Sequence, residues 1–88
     1  MTTDIVYDMI ISMKRFDSQK FRAERIKKGL TQQMLSFGVL MKHGRTISTI
    51  SIGKWELGKS NPALDNLALV CDFMGNTTDH FMTERGEK

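Results

Sequence analysis

The residues most able to do chemistry in this chain are its cations, and they are unevenly placed. Between Lys14 and Lys59 there are eleven Lys/Arg against three acids (Asp17, Glu24, Glu56), a local charge of +8. The rest of the chain carries two basic residues (Arg85, Lys88) and seven acids, a charge of −5. Such a basic block suits a polyanion, because each Lys or Arg set against a DNA phosphate releases a condensed counterion. On charge alone, a solvated basic face with no partner is as good an explanation.

Other chemistries find little support. There is one cysteine, Cys71, so an internal disulfide and a thiolate metal cluster are both excluded. It sits in an apolar stretch and reads as a core residue of a reducing compartment rather than a nucleophile. His43 reads as solvated, and His80 has no Cys/His/Asp spacing that would hold zinc. The sequence contains no Gly-rich phosphate loop, nucleophile elbow or paired catalytic carboxylates. We expect no enzyme activity, no cofactor and no metal. No apolar run approaches the ~18 residues of a membrane span. Met1-Thr-Thr-Asp lacks a basic leader, so a cytoplasmic location is expected.

The elements that must position the cations are short and well punctuated. With 88 residues the chain suits one modest domain. Asp4 to Lys14 fits a capped helix, though its β-branched content leaves a strand open. A first helix runs from Ser18 to Lys28, capped by Asp17 or Ser18 and stopped by Gly29. Thr31 caps a second, Gln32 to about Met41, and Lys42-His43-Gly44-Arg45 reads as a polar turn. Thr46 to Trp55 fits a weakly alternating strand or a helix. The Ser48 cap and Gly58 stop favour a helix from Thr49 to Leu57. Asn61-Pro62 predicts the start of a fourth helix ending at Gly75. Thr77 or Thr78 caps a last short one, and Arg85–Lys88 should fray. Tight connections between short helices imply an all-α cluster.

Three strings carry a family resemblance. Phe21 to Gln32 (FRAERIKKGLTQ) resembles the first half of the Cro/phage-repressor, or lambda-repressor-like, helix-turn-helix. Trp55-Glu56-Leu57-Gly58-Lys59 with Pro62 resembles the end of that family's recognition helix. Gly75 to Met82 resembles its last turn and helix. The stretch from Thr31 to Trp55 is about six residues longer than in the usual phage repressor. In that respect it resembles the POU-specific domain, whose turn also holds a Gly, here Gly44. The resemblance implies a five-helix domain over residues 17–84, with an N-terminal extension (1–16) and a tail (85–88).

In such a motif the second helix crosses the backbone and the third enters the major groove, its first residues facing base edges. With Ser48 as cap, Thr49, Ile50, Ser51 and Lys54 are the exposed early positions, while Ile52 and Trp55 turn inward. Thr49 and Ser51 can reach base or phosphate acceptors, and Lys54 guanine or phosphate. Ile50 either packs on a thymine methyl or is core. Thr31 and Gln32 form an anion site at a helix start, with Gln32 on the DNA backbone. Arg45 is either a phosphate clamp or a solvated turn residue. Lys59 is a plausible backbone contact, whereas Asn61 is better explained as a cap. Arg25 and Glu56 match positions that pair in the family and brace the recognition helix. Their role is structural.

The resulting expectation is a sequence-specific double-stranded DNA-binding regulator of phage, plasmid or bacterial type, acting as a repressor and as a homodimer. The N-terminal block is the candidate dimer contact. An antitoxin or other protein-interaction module with the same fold, and a toxin partner, is the rival reading. Steep salt dependence of DNA binding separates the two.

Overall fold

A computed structural model describes residues 14–84. The expected helix and dimer contact before Lys14, and the tail 85–88, lie outside the described residues. Four α-helices follow in order: α1 (Ser18–Lys27), α2 (Gln32–His43), α3 (Thr49–Glu56) and α4 (Leu64–Met74). The strands β1 (Lys14–Phe16) and β2 (Met82–Glu84) pair antiparallel, with Arg15 opposite Thr83 and Phe16 opposite Met82. A 3₁₀ turn, Thr78–Phe81, leads into β2.

The helix starts follow cap chemistry. Asp17 accepts from the Lys20 amide at 3.0 Å, Thr31 from Met34 at 3.0 Å, and Ser48 from Ser51 at 3.0 Å. Each side-chain oxygen satisfies one of the amides a helix start leaves free.

Several boundaries differ from the sequence reading. α2 continues two residues past Met41, so Lys42 and His43 are helical and the turn begins at Gly44. Gly44 has φ +71°, the left-handed conformation that lets the chain reverse there. α4 does not start at Asn61-Pro62. Ala63 is extended (ψ 149°) and makes no side-chain cap bond, so the helix begins at Leu64. Proline's fixed φ suits an extended segment as well as a first helical turn. The expected fifth helix is the four-residue 3₁₀ turn, giving four α-helices among the described residues. Residues 14–16, assigned to the extension, form one edge of the small sheet.

The core explains why the pieces pack. Phe21 of α1 is fully buried, with its ring 5.5 Å from Phe16, 6.2 Å from Trp55 and 5.3 Å from Phe81. It therefore ties β1, α3 and the 3₁₀ turn to α1. Leu35 and Val39 of α2, Ile47 of the turn, Ile52 of α3, and Leu67, Val70, Cys71 and Met74 of α4 complete the core. Gly38 lets α2 come close to α4: a Cβ there would overlap the outer edge of the Phe73 ring. No helix among the described residues is long and apolar enough to cross a membrane.

Candidate nucleic-acid interface

The outer face of α3 begins at its cap. Ile50 is 70% exposed and Lys54 is exposed, while Thr49 and Ser51 are half-buried. Ile52, Trp55 and Glu56 are buried on the other side. Ile47 and Ile52 fill the core, and the helical period then turns Ile50 outward. Ser48 Oγ also donates to Ser51 Oγ at 3.1 Å, so the two hydroxyls are held as a pair at the helix start.

A buried network fixes the angle of this helix. Arg25 Nε donates to Glu56 Oε2 at 2.6 Å, and Arg25 Nη2 donates to Glu56 Oε1 at 2.9 Å. Arg25 Nη1 donates to the Leu30 carbonyl at 2.7 Å, which also fastens the turn after α1. The hydrogen bond to Glu56 raises the Arg25 pKa further above its ordinary value, against an opposing effect of burial. Gln32 Nε2 donates to Glu56 Oε1 at 3.1 Å. Its amide lies over Gly53, where a Cβ would sit 3.7 Å from its oxygen. The first residue of α2 is thereby locked to α3.

Two contacts escaped the sequence reading. Arg22 Nε lies 4.0 Å from Glu56 Oε1 with its side chain 60% exposed. Its place one turn before Arg25 on α1 was the available signal. Ser36 Oγ donates to the Ile47 carbonyl at 2.6 Å and holds the α2–α3 connection. No spacing rule marks a serine in that role.

The remaining candidates are distributed around this centre. Thr31 and Gln32 line a shallow groove with Arg25, Ile26, Gly29, Leu30, Gln33 and Thr49, so the starts of α2 and α3 face one concavity. Arg45 is not loose in the turn. Its Nη1 donates to Asn66 Oδ1 at 2.7 Å and lies 3.5 Å from Asp65 Oδ2, tying the turn to the start of α4. Lys59 is exposed beyond α3. Lys42 and His43 pair with Asp72 at 3.0 and 2.9 Å, so both point to α4. Their hydrogen bonds and charges, that of Lys42 foremost, hold the Asp72 carboxyl below its usual pKa. His80 Nε2 lies 3.6 Å from Glu24 Oε2. Among the described residues no three His, Cys, Asp or Glu side chains are grouped to hold a metal.

A comparison with family models finds the Helix-turn-helix family across residues 21–81, from α1 through the 3₁₀ turn. The chain belongs to the helix-turn-helix family. Its type is that of Cro and C1, a DNA-binding class of transcription regulators that is generally non-enzymatic. Within this helix-turn-helix, α2 and α3 are the paired helices, and the match includes their long connection. Searches of curated proteins and of solved structures found no match.

Proposed function

We propose that this helix-turn-helix protein binds a specific double-stranded DNA site through the outer face of α3 and represses transcription by occupying it. The observation that carries this is the arrangement of α3. It presents Ile50 and Lys54 to solvent while the Arg25–Glu56–Gln32 network and Trp55 fix its other side. A helix held rigidly with donors and one apolar side chain outward meets the needs of major-groove readout.

Ser48, Thr49 and Ser51 supply hydroxyls to bases or phosphates, Ile50 meets a thymine methyl, and Lys54 reaches guanine or phosphate. Thr31 and Gln32 sit at the amide-rich start of α2 and take a backbone phosphate. Arg45, steadied by Asn66, and Lys59 flank the backbone on either side of α3. The protein binds as a homodimer, with half-sites about 34 Å apart. It works in the cytoplasm, in a phage, plasmid or bacterial setting.

Binding-site selection from random duplexes at two salt concentrations tests the proposal. We expect an enriched site whose affinity falls steeply with salt, with a log–log slope of about −0.9 per phosphate contacted. The absence of any enriched sequence, or of salt dependence, would contradict it.

A further inference from the structure

α2 is apolar on two sides. Leu35 and Val39 are fully buried against the core. On the other side Met34, Phe37, Leu40 and Met41 are 49%, 62%, 39% and 69% exposed. At 100° per residue Phe37 lies directly opposite the Leu35–Val39 line. An apolar side of a helix is ordinarily one that something covers. Among the described residues the inner side has its partner and the outer side is bare.

We propose that this outer stripe of α2 is the surface through which two copies of the chain associate. This rests on the homodimer reading above and names its surface.

Three features select a second copy as the occupant. The stripe is neutral: from Gln32 to Met41 α2 has no charged residue, in a block whose net charge is +8. Two copies approaching by the cation-bearing faces of that block repel each other, whereas the stripe meets itself without repulsion. The flanking charges are already matched, with Lys42 and His43 both on Asp72. The size also fits a two-fold contact. Four side chains exposed to this degree offer roughly 400 Å² per copy, within the size range of surface patches that are often functional. Doubled and rimmed by Gln33 and Gly44, they approach the ~1,000 Å² at which specific interfaces begin.

The stripe is also placed so that covering it leaves the DNA-reading groups free. Gln32 and Ser36 occupy the side of α2 that faces α3 and its connection, where they bond to Glu56 and the Ile47 carbonyl. Phe37 faces away from all of these. Antiparallel packing about Phe37 would bring Gln33 and Met34 of each copy against Met41 of the other.

Sedimentation equilibrium of the full chain, without DNA, at 0.1 and 0.5 M salt tests this. The wild-type chain is expected to show a concentration-dependent dimer that higher salt does not weaken, as suits an apolar contact. Phe37→Glu is expected to raise the dissociation constant at least tenfold. Its urea midpoint, compared at a concentration where both chains are monomeric, is expected to be unchanged because the residue is exposed in the monomer. Ile50→Glu, on the α3 face, is expected to leave the dimer intact. A Phe37→Glu chain that dimerises as the wild type does would overturn this surface and leave the homodimer reading standing. A wild-type chain that stays monomeric, on a two-half-site duplex as well as alone, would overturn both. Loss of stability in Phe37→Glu with a monomeric wild type would show the stripe covered by the chain's own residues, and would also overturn the proposal.

Discussion

Arg25 and Glu56 join α1 to the end of α3 through two N–H···O bonds of 2.6 and 2.9 Å, with only 10% and 3% of their side chains exposed. Glu56 also accepts from Gln32 at 3.1 Å, so one carboxylate sets the positions of all three helices around the interface. Removing one partner leaves a buried charge unmatched. Glu56→Ala is expected to cost about 3–5 kcal/mol in urea denaturation. The double variant Arg25→Met with Glu56→Leu should recover most of that loss, because no charge remains stranded. A Glu56→Ala loss under about 1 kcal/mol would show that the pair is not a brace.

Gly38 tests the close approach of α2 to α4. In an open helix Gly→Ala gains about 1 kcal/mol. Here the new methyl would occupy the space of the Phe73 ring, which is itself packed on the core. Overpacking of this kind costs about 1–3 kcal/mol, so Gly38→Ala should be net destabilising. A stabilised Gly38→Ala chain would show that the Phe73 ring swings aside and that Gly38 does not set the approach of α2 to α4.

Asp72 gives a pH test. Its carboxyl is held below its usual pKa, chiefly by the hydrogen bond from Lys42 and then by the Lys42 charge and His43. A depressed folded pKa contributes stability above the unfolded value of about 3.9 and loses it as pH falls through the folded value. Asp72→Asn should therefore lower the urea midpoint slightly at pH 7 and flatten its decline below about pH 4. Identical acid limbs for the two chains would remove the Lys42–Asp72–His43 cluster from the account.

Ile50 separates DNA reading from folding. At 70% exposed it contributes little to the core. Ile50→Ala should leave the unfolding free energy from urea denaturation within about 0.5 kcal/mol of the parent. If it packs on a thymine methyl, affinity for the selected site falls while affinity for unrelated duplex does not. A fall in stability without a fall in specificity would return Ile50 to the core.

What could be read from the residues alone was local; the distant Arg25–Glu56 pair was legible only through the family resemblance. The caps Thr31 and Ser48 are legible because a hydroxyl bonding an amide three residues on needs no distant partner. The inward turn of Ile52 and Trp55 follows from the same cap and the helical period. The parts that could not be read depend on distant partners. The β1–β2 pair joins the two ends of the described chain, and three-residue strands carry too little pattern to announce it. The last turn of α2 runs on to the left-handed Gly44, and there Lys42 and His43, which look like turn residues in isolation, meet Asp72 on α4. Asn61-Pro62 has the local grammar of a helix start, yet the chain remains extended to Ala63. In the interface, Arg45 is the clearest limit. Its charge is visible in the sequence, but its bond to Asn66 is a product of the fold.

The central claim is that α3 reads base edges, and Lys54 carries its most testable contact. The direct measurement is the ratio of affinities for the selected site and for an unrelated duplex, for the parent and for Lys54→Ala at one fixed salt concentration. In Lys54→Ala the ratio is expected to drop by a factor corresponding to about 1–3 kcal/mol, mostly through loss on the selected site. An unchanged ratio would contradict base reading by Lys54: both affinities falling together would make it a phosphate contact, and neither falling would take it out of the interface.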